Sequence, residues 1–145
     1  MKKSLKAVVC LILAIGLLSS FASASAVFPR SSMYIGYYTA SISAGQNGAI
    51  SITARVVGKG SLDEIGVSSI TIYESSDGKS YTKYGTFYSD DYPSMMGSGS
   101  VYEKKAFEFM GTVGYTYKAT VNCYGRSGSG SDTKPYSTGS VTAKR

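Results

Sequence analysis

The chain has 145 residues, with 15 Lys and Arg against 9 Asp and Glu, two Cys, thirteen Tyr and neither His nor Trp. The absence of His excludes Ser-His-Asp and Cys-His nucleophile pairs, the HExxH zinc site and His-based pH switches. The length suits a single domain.

Residues 1–26 have the three-part layout of a secretory signal peptide. Lysines precede an apolar run, Ala7–Leu18, and small residues follow it as far as Ala26. The apolar run has 12 residues, whereas a membrane span needs about 20, so no stable membrane anchor is predicted. We expect cleavage after Ala26, with Ala24 as the alternative. Cys10 lies inside the apolar run, which disfavours a lipid-modified cysteine.

Removal of the predicted signal peptide changes the charge and the cysteine count. It leaves 119 residues and lowers the formal charge from +6 to +3. The remaining basic residues are scattered, which does not indicate a nucleic-acid partner, although weak attraction to anionic cell-surface polymers stays open. Only Cys123 remains, so no intramolecular disulfide can form. We expect Cys123 to face the core; if it were exposed, it could link two chains.

The rest of the chain predicts an all-β fold, because apolar residues alternate in short runs and no helical spacing appears. In the clearest strand, Ala49–Val57, one face is apolar and the other mostly polar, and Asn47-Gly48 supplies a hairpin turn before it. We assign residues 27–36 to a flexible N-terminal segment and residues 37–145 to a β-sandwich. The seven predicted strands are 37–43, 49–57, 67–74, 81–88, 101–109, 115–124 and 136–143.

The segments between these strands are predicted as connections. Residues 61–66 join two strands, residues 90–99 form a loop with one Pro and two Gly, and residues 125–132 form a flexible Gly/Ser tip. The strand at 81–88 is polar on both sides, which is typical of a sheet edge.

The run Thr116-Tyr117-Lys118-Ala119-Thr120-Val121 resembles the start of the sixth strand in fibronectin type III and related immunoglobulin-like domains. The resemblance implies a structural role for Tyr117: a buried corner tyrosine whose hydroxyl bonds to backbone upstream and fixes the crossover between the sheets. It implies nothing about function.

A second resemblance covers nearly the whole chain. The signal peptide, the run from Gly58 to Ile70 (GKGSLDEIGVSSI) and the run from Tyr92 to Gly97 (YPSMMG) are similar to a family of small secreted proteins of unknown function from Gram-positive bacteria. The resemblance implies secretion and an immunoglobulin-like β-sandwich.

Paired carboxylates are the main candidates for chemistry. Asp63-Glu64 and Asp90-Asp91 are each adjacent in sequence, and neighbours on a strand point to opposite faces, so neither pair alone fits a glycosidase. A pairing between the two loops, such as Asp63 with Asp91, stays open. No calcium-loop spacing is present, and the Gly/Ser tip opens no helix that would cradle a phosphate. We therefore expect no catalytic residue, metal or cofactor.

Exposed aromatic and Met side chains are the candidates for binding. Tyr offers a large contact area at low entropic cost, and Met adapts to varied partners. High β-propensity also explains many of the tyrosines, and the two Met could instead plug the end of the sandwich. The candidate interaction residues are Tyr88, Tyr92, Met95 and Met96.

The sequence therefore favours a secreted, non-catalytic binding domain whose ligand is a cell-surface or cell-wall glycan or a protein. The first alternative is a self-assembling or structural extracellular protein, because polar strands with few charges offer edges for weak self-association. A secreted antibacterial peptide or toxin comes next, and an enzyme comes last.

Overall fold

Residues 32–145 are the part of the chain that the computed structural model describes. The predicted signal peptide and residues 27–31 lie outside the described residues. Within residues 32–145, no helix has the length and apolar character needed to cross a bilayer. The elements are β1 (Ile35–Ala44), β2 (Ala49–Leu62), β3 (Glu64–Ser75), β4 (Thr82–Tyr88), a 3-10 turn (Pro93–Met95), β5 (Met96–Gly97), β6 (Ser100–Met110), β7 (Thr116–Ser127) and β8 (Gly130–Thr142).

These strands form two antiparallel sheets. The small sheet has the order β1-β2-β6, and the large sheet has the order β4-β3-β7-β8, with β5 also paired to β3. The prediction of an all-β fold built from two antiparallel sheets is confirmed. The prediction that the strand at 81–88 lies at a sheet edge is also confirmed, since β4 stands at the end of the strand order of the large sheet and pairs with β3.

The core lies where the apolar faces of the two sheets meet. In β2, Ile50, Ile52, Ala54 and Val56 are buried, as the alternation predicts. The alternate residues of β7 from Tyr117 to Cys123 are buried in the same cluster. Full burial of one Ile or Val side chain contributes about 1.5–3 kcal/mol relative to leaving it exposed. Within residues 32–145 Cys123 is a free thiol, so the apolar core rather than a disulfide stabilises this part of the chain.

Tyr117 and Cys123 both point into this core. The hydroxyl of Tyr117 accepts the Thr112 backbone N–H at 2.8 Å and donates to Glu74 Oε2 at 3.3 Å. A Cβ added at Gly111 would lie 2.7 Å from the Tyr117 ring, so the chain needs Gly there. Burial raises the pKa of the Cys123 thiol to about 11, because the thiolate loses its hydration. The buried thiol is not placed to link two chains.

The first strand begins earlier in the chain than the sequence predicted. Ile35 belongs to β1 and is 3% exposed. The carboxylate of Asp132 accepts hydrogen bonds from the Ser32 hydroxyl and the Tyr34 backbone N–H. Residues 32–36 are therefore part of the folded unit, and their assignment to a flexible segment was wrong because it overlooked this contact with the distant β8.

Two predicted connections are much shorter than expected. β2 runs to Leu62 and β3 begins at Glu64, so the 61–66 connection reduces to Asp63. Leu62 and Ile65 are buried, which keeps the chain extended on both sides of that residue. The flexible tip predicted at residues 125–132 reduces in the same way to residues 128 and 129, because β7 and β8 pair almost to their ends.

Candidate functional site

A groove of about 450 Å³ lies at one end of the large sheet. The first half of β3, the second half of β7 and the segment between β4 and β6 border it. Its volume is within the range of small-ligand sites. The residues that define its chemistry are Glu64, Ser68, Asp90, Pro93, Met96 and Tyr124.

The segment after β4 forms one wall of the groove. The backbone N–H groups of Asp91 and Tyr92 both donate to the Tyr88 carbonyl, at 3.1 and 3.0 Å, which turns the chain sharply. Pro93 then opens the 3-10 turn, a position where its fixed φ is favourable and its missing N–H costs nothing. The loop predicted at residues 90–99 thus has a defined shape.

Gly66 lets this segment close against the large sheet. Its φ is +152°, and a Cβ built on it would lie 2.4 Å from the Met95 carbonyl oxygen, so only Gly allows the approach. Gly66 pairs with Met96 on one side and with Tyr124 on the other. The register therefore places Met96 and Tyr124 on either side of β3, where both line the groove.

The charged end of the groove combines an ion pair with a second carboxylate, Asp90. Arg126 Nε lies 3.1 Å from Glu64 Oε2, and Arg126 also donates to the Gly128 carbonyl at 2.9 Å. The hydrogen bond from Arg126 lowers the pKa of Glu64, because the ionised carboxylate is the better acceptor. Among residues 32–145, Asp90 has no hydrogen-bond or ion-pair partner for its carboxylate. The groove thus offers two carboxylates as acceptors.

Three of the four predicted interaction residues are accessible. Tyr88 is 54% exposed and Tyr92 is 40% exposed, while Met96 is half-buried in the wall of the groove. The Tyr92 ring packs edge-on against Phe87 and Phe107, with centroids 5.8 and 5.4 Å apart. Tyr92 therefore covers the core with one part of its ring and meets solvent with the other.

Met95 does not belong to an exposed surface. Its side chain is 1% exposed and lies in the hydrophobic core. Its choice as an interaction residue was wrong; the alternative weighed for it, a plug at the end of the sandwich, is the role it takes. The short 3-10 turn points Met95 inward and leaves its neighbour Met96 at the groove.

The sequence did not single out Glu64, Ser68, Asp90 or Tyr124 as binding residues. The groove joins one carboxylate from each adjacent pair, Glu64 and Asp90, rather than Asp63 and Asp91. Asp63 is used differently, since its carboxylate accepts the Gly128 N–H at 2.7 Å. Alternation along β7 was the available signal for Tyr124, which shares the polar face of Asn122.

The groove suits hydrogen bonding to a polar ligand. Carboxylates and serine hydroxyls supply acceptors and donors, and the Tyr124 ring, Pro93 and Met96 supply apolar contact area. In residues 32–145, no three Asp, Glu or Cys side chains converge in a way that would hold a metal ion.

Comparisons with known proteins assign no relative to this chain. No family model and no curated protein matches it. Among solved structures, a family 76 glycoside hydrolase from a bovine Bacteroides thetaiotaomicron strain aligns over 72% of this chain at 15% identity with a TM-score of 0.29. The alignment spans 20% of the hydrolase chain.

Proposed function

We propose that the chain is a secreted, non-catalytic binding domain that holds a neutral or amino-sugar glycan of a cell surface or cell wall in the groove of the large sheet. The observation that carries the proposal is the joint presence of Tyr124, Glu64 and Asp90 around one groove. A sugar ring presents C–H groups that stack on an aromatic ring and hydroxyls that donate to carboxylates. Arg126 compensates the charge of Glu64, so Asp90, which has no ion-pair partner among residues 32–145, is the group that repels an anionic polymer at this site.

The state of Glu64 supports binding rather than hydrolysis. Glycoside cleavage needs one carboxyl group that stays protonated near neutral pH and donates its proton. The hydrogen bond from Arg126 moves the pKa of Glu64 in the opposite direction, so this group stays ionised and accepts hydrogen bonds.

We propose the fibronectin type III-like form of the sandwich. In the immunoglobulin constant type, the fourth strand belongs to the sheet of the first, second and fifth strands. Here β4 pairs with β3 in the other sheet, which supports the fibronectin-like order. The hydrogen bond from the Thr112 N–H to the Tyr117 hydroxyl supports a tyrosine corner. The signal-peptide layout predicted for residues 1–26, together with the resemblance to small Gram-positive proteins, supports secretion.

Self-assembly through strand edges is the weaker candidate. β8 is an edge strand of the large sheet and runs from Gly130 to Thr142, which offers a long edge. However, it carries Lys134 and Pro135 and an irregularity opposite residues 118–120 of β7, all of which oppose strand addition. The β8 edge is therefore poorly suited to strand addition, which supports a binding domain over self-assembly through this strand.

The test is retention of the purified protein on insoluble neutral polysaccharides, chitin and isolated Gram-positive cell walls, at low and high salt. We expect retention on at least one of these that survives high salt, because stacking and hydrogen bonding depend little on ionic strength. Tyr124→Ala should weaken it about tenfold, the loss expected for one aromatic contact.

Tyr84→Ala is the matched control, because Tyr84 is an exposed tyrosine of β4 that lies outside the groove. It should leave retention unchanged, and the melting temperatures of both variants report whether folding is intact. An absence of salt-resistant retention on every support, or an equal loss for the two variants, would overturn the proposal.

A further inference from the structure

The outer face of the small sheet carries two cations side by side. Arg55 of β2 and Lys104 of β6 are direct cross-strand partners, and Thr39 of β1 is the partner of Arg55 on the other side. Residues that face each other across a strand pair point to the same side of the sheet. The two positive side chains therefore share one face, away from the core that Ala54 and Val56 line from β2.

No carboxylate compensates this pair. The strands of the small sheet contain two acidic residues, Glu103 and Glu108. Glu103 lies 3.0 Å from Lys105, and Glu108 is registered with Ser51, four positions along β2 from Arg55. Within the described part of the chain, neither Arg55 nor Lys104 has an ion-pair partner. Like charges placed directly opposite each other destabilise a sheet.

The next row on the same face is aromatic. Tyr37 of β1 pairs with Val57 of β2, and Val57 pairs on its other side with Tyr102 of β6. Tyr37 is 58% exposed and Tyr102 is 49% exposed, so both rings meet solvent. On the other side of the cation pair lie Ser41 and Thr53, which with Thr39, Arg55 and Lys104 line a depression of about 380 Å³.

We propose that this face is a second binding site, separate from the groove, and that its ligand is a linear anionic glycan. The two uncompensated cations match carboxylate or phosphate groups on the polymer, the tyrosine row stacks against sugar rings, and the Ser and Thr hydroxyls bind sugar hydroxyls. Two cations with a hydroxyl-lined depression favour a glycan over a nucleic acid, which requires a larger basic patch. This ligand differs in charge from the neutral or amino-sugar glycan proposed for the groove.

The test measures binding of the purified protein to polygalacturonate, which carries carboxylates, and to phosphomannan, which carries phosphates. Binding to at least one of them at low salt, with affinity falling as salt rises, is the expected result. The polymer bound more tightly identifies the anionic group. Arg55→Gln and Lys104→Gln should each weaken binding about tenfold, the value of one charge-assisted hydrogen bond.

The control is Lys79→Gln, which removes one exposed positive charge from the turn before β4. It changes the net charge equally but leaves the small sheet intact, so affinity should stay within about twofold of the original. The proposal is overturned if neither polymer binds, if Lys79→Gln costs as much as Lys104→Gln, or if single-stranded DNA binds as tightly as the glycans. Because the groove proposal is judged by retention that survives high salt, whereas binding to the small sheet should fall as salt rises, either proposal can fail without the other.

Discussion

The outer faces of the two sheets have the same strand geometry but treat their polar side chains in opposite ways. On the large sheet, cross-strand neighbours complement each other: the hydroxyls of Thr71 and Thr86 lie 3.1 Å apart, and Asn122 donates to Ser69 at 2.9 Å. On the small sheet, Arg55 faces Lys104 with no acidic partner among residues 32–145. The polar side chains of a sheet face can therefore bond to their cross-strand neighbours, or they can keep an uncompensated charge that a ligand can neutralise.

The difference extends to the sign of the charge that each face offers. The groove of the large sheet presents Glu64 and Asp90, and the small sheet presents two cations. The outer faces of two packed sheets point away from each other. The two proposals together would let one small domain contact two polymers of different charge from its two sides.

The largest expected effect is a difference in stability between variants of two neighbouring Met residues, one in the core and one in the wall of the groove. Met95→Ala should lower the free energy of unfolding by about 2–5 kcal/mol, because it leaves a cavity among buried side chains. Met96→Ala, at the half-buried neighbouring position, should cost about 1 kcal/mol or less while weakening glycan retention. Urea denaturation of both variants checks the contrast. Equal losses of stability would mean that the wall of the groove is as much a part of the core as Met95 is.

Which of the two Met residues is buried was not readable from the sequence. Alternation correctly identified the buried faces of β2 and β7, since both strands lie against the core along their length. The inward direction of Met95 depends instead on a backbone approach to Gly66, which lies far away in the chain. The residues next to Met95 in the sequence do not indicate that contact.

Both proposed sites required long-range register that periodicity does not supply. Tyr124 and Met96 meet around Gly66 only through the pairing of β3 with β7 and β5. Arg55 meets Lys104 only because β6 returns to pair with β2, two strands that are not consecutive in the chain. Alternation predicts on which face of its strand each residue lies. The residues beside it on neighbouring strands depend on the strand order, which could be inferred from the sequence only by analogy.

A smaller change in the free energy of unfolding should have opposite signs for lysine substitutions on the two outer faces. Lys104→Gln should raise the free energy of unfolding by about 0.5 kcal/mol, because it removes like-charge repulsion with Arg55. Lys118→Gln on the large sheet should lower it by about 0.5–1 kcal/mol, because Lys118 Nζ lies 4.0 Å from the centroid of the Tyr81 ring. The Lys→Gln substitution thus reports whether the lysine on each face has a favourable neighbour. Urea denaturation of both variants at low salt measures the change in the free energy of unfolding. Shifts of the same sign would remove the contrast between the sheets.

The smallest expected effect concerns a carboxylate in the turn that joins β3 to β4. Asp77 accepts the backbone N–H groups of Ser80 and Lys79 and the Ser75 hydroxyl, each at 2.8 Å. These bonds, first of all the one from the Ser80 N–H, lower the pKa of Asp77 from 3.8 to about 2 because they favour the ionised carboxylate. Because the folded state holds the ionised form, the resulting stability is complete above pH 4 and is lost as the pH falls through about 2.

Urea midpoints measured from pH 6 down to pH 2 test this effect. The Asp77→Asn variant should start below the original protein and approach it as the medium becomes acid, since the original loses its advantage by protonation. Asp91→Asn is the control: its carboxylate has no hydrogen-bond partner among residues 32–145, so its curve should run parallel to the original. A constant gap between Asp77→Asn and the original protein would show that these hydrogen bonds do not favour the ionised carboxylate. In that case the favourable pairing of polar groups seen on the large sheet would be absent from the turn between β3 and β4.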